Sequence, residues 1–109
     1  MKVWKKAFNT EELGVELGAT VKFGDLQIAV FHYKEDEWYA VQNLCPHKRE
    51  YVISRGLVGD VSGEPKVACP LHKHPFSLKN GKHLGGSDMC LKIFPVKIES
   101  GEVFIEIDE

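Results

Sequence analysis

No run in this chain is long enough, or regular enough, to form an amphipathic helix; what recurs is a short β-type run bounded by turn residues. Residues 20–23, 26–33 and 38–42 are each rich in Val, Ile, Phe, Tyr or Trp, and Gly24-Asp25 and Glu35-Asp36-Glu37 separate them. β-branched and aromatic side chains suit a pleated, half-buried surface, so these runs read as an antiparallel meander. Near the end, residues 91–98 and 102–107 flank Ser100-Gly101, and Val103, Ile105 and Ile107 recur at period two. That pattern predicts a hairpin with one buried face. At the start, residues 3–8 read as another short strand, followed by one helical turn at Thr10-Glu11-Glu12-Leu13 with Thr10 as its N-cap. The fold class expected is all-β. A length of 109 residues gives room for one domain, residues 1–109, with a single core and a radius of gyration of roughly 13 Å.

Composition narrows the function classes. The chain is 43% hydrophobic and 28% charged, ordinary for a globular protein that folds. Fourteen basic and sixteen acidic residues leave a net charge of −2, which excludes the strongly cationic footprint of a nucleic-acid binder. The longest uncharged apolar stretch, near Ile28-Ala29-Val30-Phe31, falls far short of the ~20 residues that span a bilayer. Charge without an apolar h-region follows Met1, so no secretory signal is read and the expected location is the cytoplasm, with no membrane partner. A chain this small has no room for a large multi-cofactor active site, so a redox or hydrolytic role needs a small site or a larger assembly.

The segment from about 43 to 88 differs in texture. It holds four of the five prolines, six glycines and little alternation, and reads as loops held on a scaffold. Loops this long inside a small domain are usually functional. Asn80-Gly81 predicts a type I′ turn closing Phe76-Ser77-Leu78 against Lys82-His83-Leu84, a minor sheet within the loop region.

Two compact pairs lie in that segment: Cys45-Pro46-His47, then after 21 residues Cys69-Pro70-Leu71-His72. Two thiolates and two imidazoles make four ligands. The shared Cys-Pro start suggests two matched loops around one site, because proline fixes φ and lacks an N–H, leaving the next backbone amides to face the sulfur. Zinc is the natural competitor, since Cys2His2 is a common zinc set. Zinc sites, however, favour like ligands adjacent in sequence, whereas each loop here mixes one Cys and one His. Mixing suits a two-iron cluster in which one iron takes both sulfurs and the other both imidazoles. The three cysteines are an odd number and a poor disulfide framework, and Cys90, within Met89-Cys90-Leu91, reads as a small buried hydrophobe. His32 and His83 read as surface or hairpin residues. Lys48-Arg49-Glu50 and Arg55 read as a solvated loop with internal ion pairs. No G-x-G-x-x-G, P-loop or G-x-S-x-G motif occurs, so nucleotide binding and serine hydrolysis have no support.

With these pairs the chain resembles a Rieske-type [2Fe-2S] domain, and Cys45, His47, Cys69 and His72 occupy the positions of its four ligands. The resemblance implies an antiparallel β-sandwich with a cluster-binding subdomain inserted at about residues 43–85 and both imidazoles near its tip. Two ferric ions, two sulfides and two thiolates sum to zero, so the oxidised site would be neutral and reduction would add one negative charge. Imidazole ligation raises the potential above that of an all-cysteine cluster, into a range of about −150 to +300 mV. High-potential relatives carry a further Cys in each loop, disulfide-bridged, and hydroxyls two and four residues after the last His. This chain has neither, holding His74 and Phe76 at those places, and a potential low in the Rieske range is expected.

Segments beyond the ligands narrow the resemblance. Residues 45–51, Ser54-Arg55-Gly56-Leu57, residues 63–73, Phe76-Ser77-Leu78 and Phe94-Pro95-Val96-Lys97 together resemble the small subunits of assimilatory NAD(P)H-dependent nitrite reductases. That likeness implies an accessory or electron-transfer subunit beside a large subunit carrying flavin and sirohaem, with no complete active site of its own. The alternatives are a Rieske ferredoxin of an aromatic-ring dioxygenase system, and a structural module with zinc or an empty site. The 21-residue separation, and Lys73-His74 where those ferredoxins place Gly and Trp, favour the nitrite reductase reading.

Overall fold

The strand at residues 26–34 organises the chain. The computed structural model describes residues 2–35, 37–46, 50–70, 74–86 and 88–108. β1 (Lys2–Asn9) is followed by a 3-10 turn (Thr10–Glu12), then by β2 (Leu17–Phe23), β3 (Leu26–Lys34) and β4 (Glu37–Gln42). β2, β3 and β4 are the expected antiparallel meander, with Phe23 opposite Leu26 across Gly24-Asp25. Ile28, Ala29, Val30 and Phe31 are all fully buried, although successive strand residues face opposite sides. Both faces of β3 are therefore covered. Ile28 and Val30 pack with Ala40, Phe94, Val103, Ile105 and Ile107 on one side. Ala29 and Phe31 join Val41, Ile53, Val67, Phe76, Leu78 and Leu91 on the other. A strand buried on both faces reads as a continuous apolar run, which is why this stretch shows no alternation.

The remaining strands form two further sheets. β5 (Leu57–Val61), β6 (Glu64–Ala68) and β7 (Pro75–Ser77) make one, in that order and antiparallel. β8 (Ile93–Phe94) adds to β4, while β9 (Val96–Glu99) and β10 (Glu102–Asp108) join β1 in the order β1-β10-β9. Residues 91–98 are thus not one strand. Pro95 has no N–H to donate and separates the piece paired with β4 from the piece paired with β10, so the chain passes there from one sheet to another. The radius of gyration is 13.0 Å.

Local chemistry departs from expectation at several points. The N-cap of the 3-10 turn is Asn9, not Thr10: Glu12 reaches back to accept the Asn9 N–H at 2.7 Å, and Thr10 Oγ1 donates to the Gly101 carbonyl instead. His32 is buried rather than superficial. Its ring stacks on Trp38 at 3.9 Å, and its two nitrogens lie 2.9 and 3.0 Å from the carbonyl oxygens of Leu13 and Glu35. Those contacts tie two loops together and leave no ring nitrogen for a metal. No helix among the described residues is long and apolar enough to cross a membrane.

Candidate metal centre

The β5-β6-β7 sheet and the end of β4 present two loops of the same construction. Each contains six residues beginning Cys-Pro. Leu44 pairs with Tyr51 around residues 45–50, and Ala68 pairs with Pro75 around residues 69–74. Within the first loop the Cys45 N–H donates to the Glu50 carbonyl at 2.7 Å; within the second, the Cys69 N–H donates to the His74 carbonyl at 3.0 Å. Residue by residue, the two closures correspond.

The loops meet at their cysteines. Cys45 and Cys69, 24 residues apart in sequence, have sulfurs 3.2 Å apart, and both residues are fully buried. They are not disulfide-bonded, and 3.2 Å is well beyond an S–S bond of about 2.05 Å. It is shorter than the roughly 3.8 Å edge expected for two thiolates on one tetrahedral metal with bonds of about 2.3 Å, so the sulfurs would part slightly to take one. Both sulfurs belong to the same core cluster as Phe31, Val67 and Phe76, which supplies no positive charge. As thiols the two share a hydrogen bond, Cys69 donating to Cys45; as ligands they would be thiolates, and two charges so close in an apolar core would need a multivalent cation between them. The donor set and its burial therefore fit an iron held by both sulfurs.

His47 and His72, the other two candidate ligands, lie outside the described residues, as do Lys48, Arg49 and Lys73. Cys90 is exposed, not packed in the core: it bridges Lys82, while its neighbours Met89 and Leu91 are the ones that pack inward. Phe76 is fully buried beneath the site, and His74 is half-buried beside it. Spacing alone gives no hint of two other features of this end. Tyr51 and Leu57 are 52% and 69% exposed, and they pair directly with Leu44 and Ala68, the residues that precede the two cysteines. His83 lies against His74.

The model of the Rieske-like [2Fe-2S] domain matches residues 3–106. The chain belongs to this family. A [2Fe-2S] cluster is the family's cofactor, and the cysteine pair described above fits one iron of it. Among its relatives is the nitrite reductase (NADH) small subunit of Escherichia coli K12, 32% identical over 104 residues that cover 94% of this chain and 96% of that one. The nitrite reductase [NAD(P)H] large subunit of Klebsiella oxytoca is 35% identical over 102 residues; this chain spans only 11% of its length. The NMR structure of the E. coli protein NirD superposes with a TM-score of 0.89 at 30% identity, covering all of both chains.

Proposed function

We propose that this chain is the small subunit of a cytoplasmic NAD(P)H-dependent nitrite reductase. It would be a single Rieske-like domain, residues 1–109, that holds its cluster on Cys45, His47, Cys69 and His72 in a subdomain of about residues 43–85. The end-to-end match with the E. coli small subunit carries the reading, because it covers nearly all of both chains and not the cluster motif alone. When bound, the cluster supplies one-electron transfer. The paired thiols anchor it in the core between β3 and the β5-β6-β7 sheet, and the matched loop closures set both cysteines rigidly. In this reading His47 and His72 complete the set.

The partner in this reading is a large flavin- and sirohaem-bearing subunit, where nitrite is reduced to ammonium. The family fold also occurs as about a tenth of a chain named as a large subunit, which supports work in contact with such a body. Tyr51 and Leu57, exposed at the bases of the two ligand loops, offer apolar contacts there. A domain of this size leaves no room for flavin and sirohaem as well, so its role in this reading is electron transfer or support of the large subunit.

Co-expression with the large subunit tests the assignment. Stable co-elution of the two chains, with a [2Fe-2S] spectrum contributed by this one, is the expected result. A chain that elutes alone, and instead sustains dioxygenase turnover with a separate reductase, would establish the ferredoxin alternative. Within the site, Cys45→Ser and His72→Ala should each abolish the visible spectrum of the purified chain, while Cys90→Ala leaves it intact.

A further inference from the structure

The two candidate cysteines leave their sheets in different ways. Cys69 follows Ala68 at the end of β6, the central strand of its sheet, and Ala68 pairs with Leu57 on one side and Pro75 on the other. Cys45 comes three residues after the end of β4. β4 pairs with β3 as far as Gln42 and with β8 as far as Val41, so its ladders end before the cysteine is reached, leaving the Leu44–Tyr51 bridge within the loop itself. Side-chain amides fasten the chain there. Gln42 Nε2 donates to the Leu44 carbonyl at 2.7 Å, and Gln42 Oε1 accepts the Lys92 N–H at 2.7 Å.

Asn43, only 1% exposed, bonds to both sides of the loop. Its N–H donates to the Gln27 carbonyl on β3 at 3.2 Å, and its own carbonyl accepts the Ile53 N–H at 3.1 Å. Its Oδ1 accepts the Ser54 N–H at 2.8 Å; that amide can only donate, which fixes the orientation of the Asn43 carboxamide and turns Nδ2 to Gln27 Oε1 at 3.2 Å. Ile53 and Ser54 open the 3-10 turn Ile53–Arg55, whose first N–H groups find no acceptor within the turn, and Val52 at its cap makes no side-chain bond to them. Asn43 supplies both acceptors from the other end of the loop. Ile53 is fully buried in the core cluster that contains both sulfurs, and the N–H groups of Val52 and Cys45 share the Glu50 carbonyl at 3.0 and 2.7 Å. Bonds therefore close a ring from Asn43 through Ile53 and Glu50 back to Cys45.

We propose that Asn43 is a positioning residue: by tying the exit of the first ligand loop to β3 it holds Cys45 against Cys69, as the β6 ladder holds Cys69 from its side. Its value to a cluster rests on the ligand set given above; its hold on the Cys45 thiol does not. Truncating Asn43 leaves the Ser54 N–H and Gln27 Oε1 without the group that joined them, at a part-buried place, and the cost falls on the loop they fasten. Opening that loop exposes Cys45 while the β6 ladder, and Cys69 with it, stays in place.

The test compares the two cysteines with each other in the full chain, purified anaerobically. Iodoacetamide labelling of Cys45 and of Cys69, each quantified by mass spectrometry of its own peptide, is read beside the denaturation midpoint and the rate at which a chelator removes iron. Asn43→Ala should raise the ratio of Cys45 to Cys69 labelling rates about tenfold and quicken iron loss. Gln27→Ala, a milder change that takes away only the acceptor of Asn43 Nδ2, should move the ratio the same way by less. Val103→Ala opens a cavity in the opposite core; it should lower the midpoint and leave the ratio at the parent's value. An unchanged ratio in folded Asn43→Ala, or in Gln27→Ala should the first variant not fold, overturns the role of Asn43, as does an equal rise in Val103→Ala. A parent chain that takes up no iron while the ratio still rises in the variants overturns the ligand set and leaves the hold of Asn43 on Cys45 standing.

Discussion

Three side chains divide the work of holding the fold from that of holding the cluster. His32 is engaged on both ring nitrogens and on its face, and is buried, though less completely than the paired thiols. His32→Ala removes both ring-nitrogen contacts and the Trp38 stack, and should cost about 3 kcal/mol in chemical denaturation while leaving the iron–sulfur spectrum unchanged. Tyr39 gives a pH signature. Burial pushes its phenol up to about 12, helped by the hydrogen bond it donates to Glu37 and by that carboxylate's charge. An unfolded tyrosine ionises near 10, so between these values the unfolded chain releases a proton that the folded chain keeps. The stabilisation is whole below pH 10 and is lost as pH rises toward 12. Denaturation followed across that window should show the decline, and Tyr39→Phe should remove this residue's share of it. Cys90 teaches the converse lesson: an apolar neighbourhood in sequence, Met89-Cys90-Leu91, suggested burial, yet Cys90 is exposed while Leu91 is buried and Met89 packs partly against the core.

At the level of elements, the strands were legible where alternation or β-branched density ran for five residues or more, as in β3, β4 and β10. β5 and β6 were not. Their hairpin turns on Ser62-Gly63, both with positive φ, a weaker signal than Asn-Gly, inside a stretch whose glycines and prolines resembled loop. The Asn80-Gly81 signal pointed to the right neighbourhood and the wrong geometry. Only Gly81 of the pair takes a positive φ, and the pairing beyond it is a single Phe76–His83 bridge with the Ser77 N–H donating to Lys82. Gly81 is there for closeness as well as for φ, because a Cβ would come within 1.9 Å of the Leu91 carbonyl oxygen. Gly81→Ala should therefore destabilise the chain by about 3 kcal/mol, read as a lowered denaturation midpoint. The division of residues 91–98 at Pro95 was hidden for a related reason: partner strands, not local pattern, decide where a run changes sheets.

Across the whole molecule, the two cores share β3, and one of them contains the thiol pair. The sandwich therefore positions the two candidate cysteine ligands directly, within its core. The Cys-Pro repeat made the cysteine pair visible in sequence, because ligand chemistry restricts residue type more tightly than packing does. Asn43 and the exposed pair Tyr51 and Leu57 stayed hidden, since their importance comes from what the fold sets beside them. The most direct test of the account is metal and labile-sulfide analysis of the anaerobically purified chain, read together with the electron-spin spectrum of its reduced form. The account predicts two irons and two sulfides per chain and a Rieske-type signal that Cys45→Ser abolishes. A colourless chain with stoichiometric zinc, and neither iron nor sulfide, would contradict it.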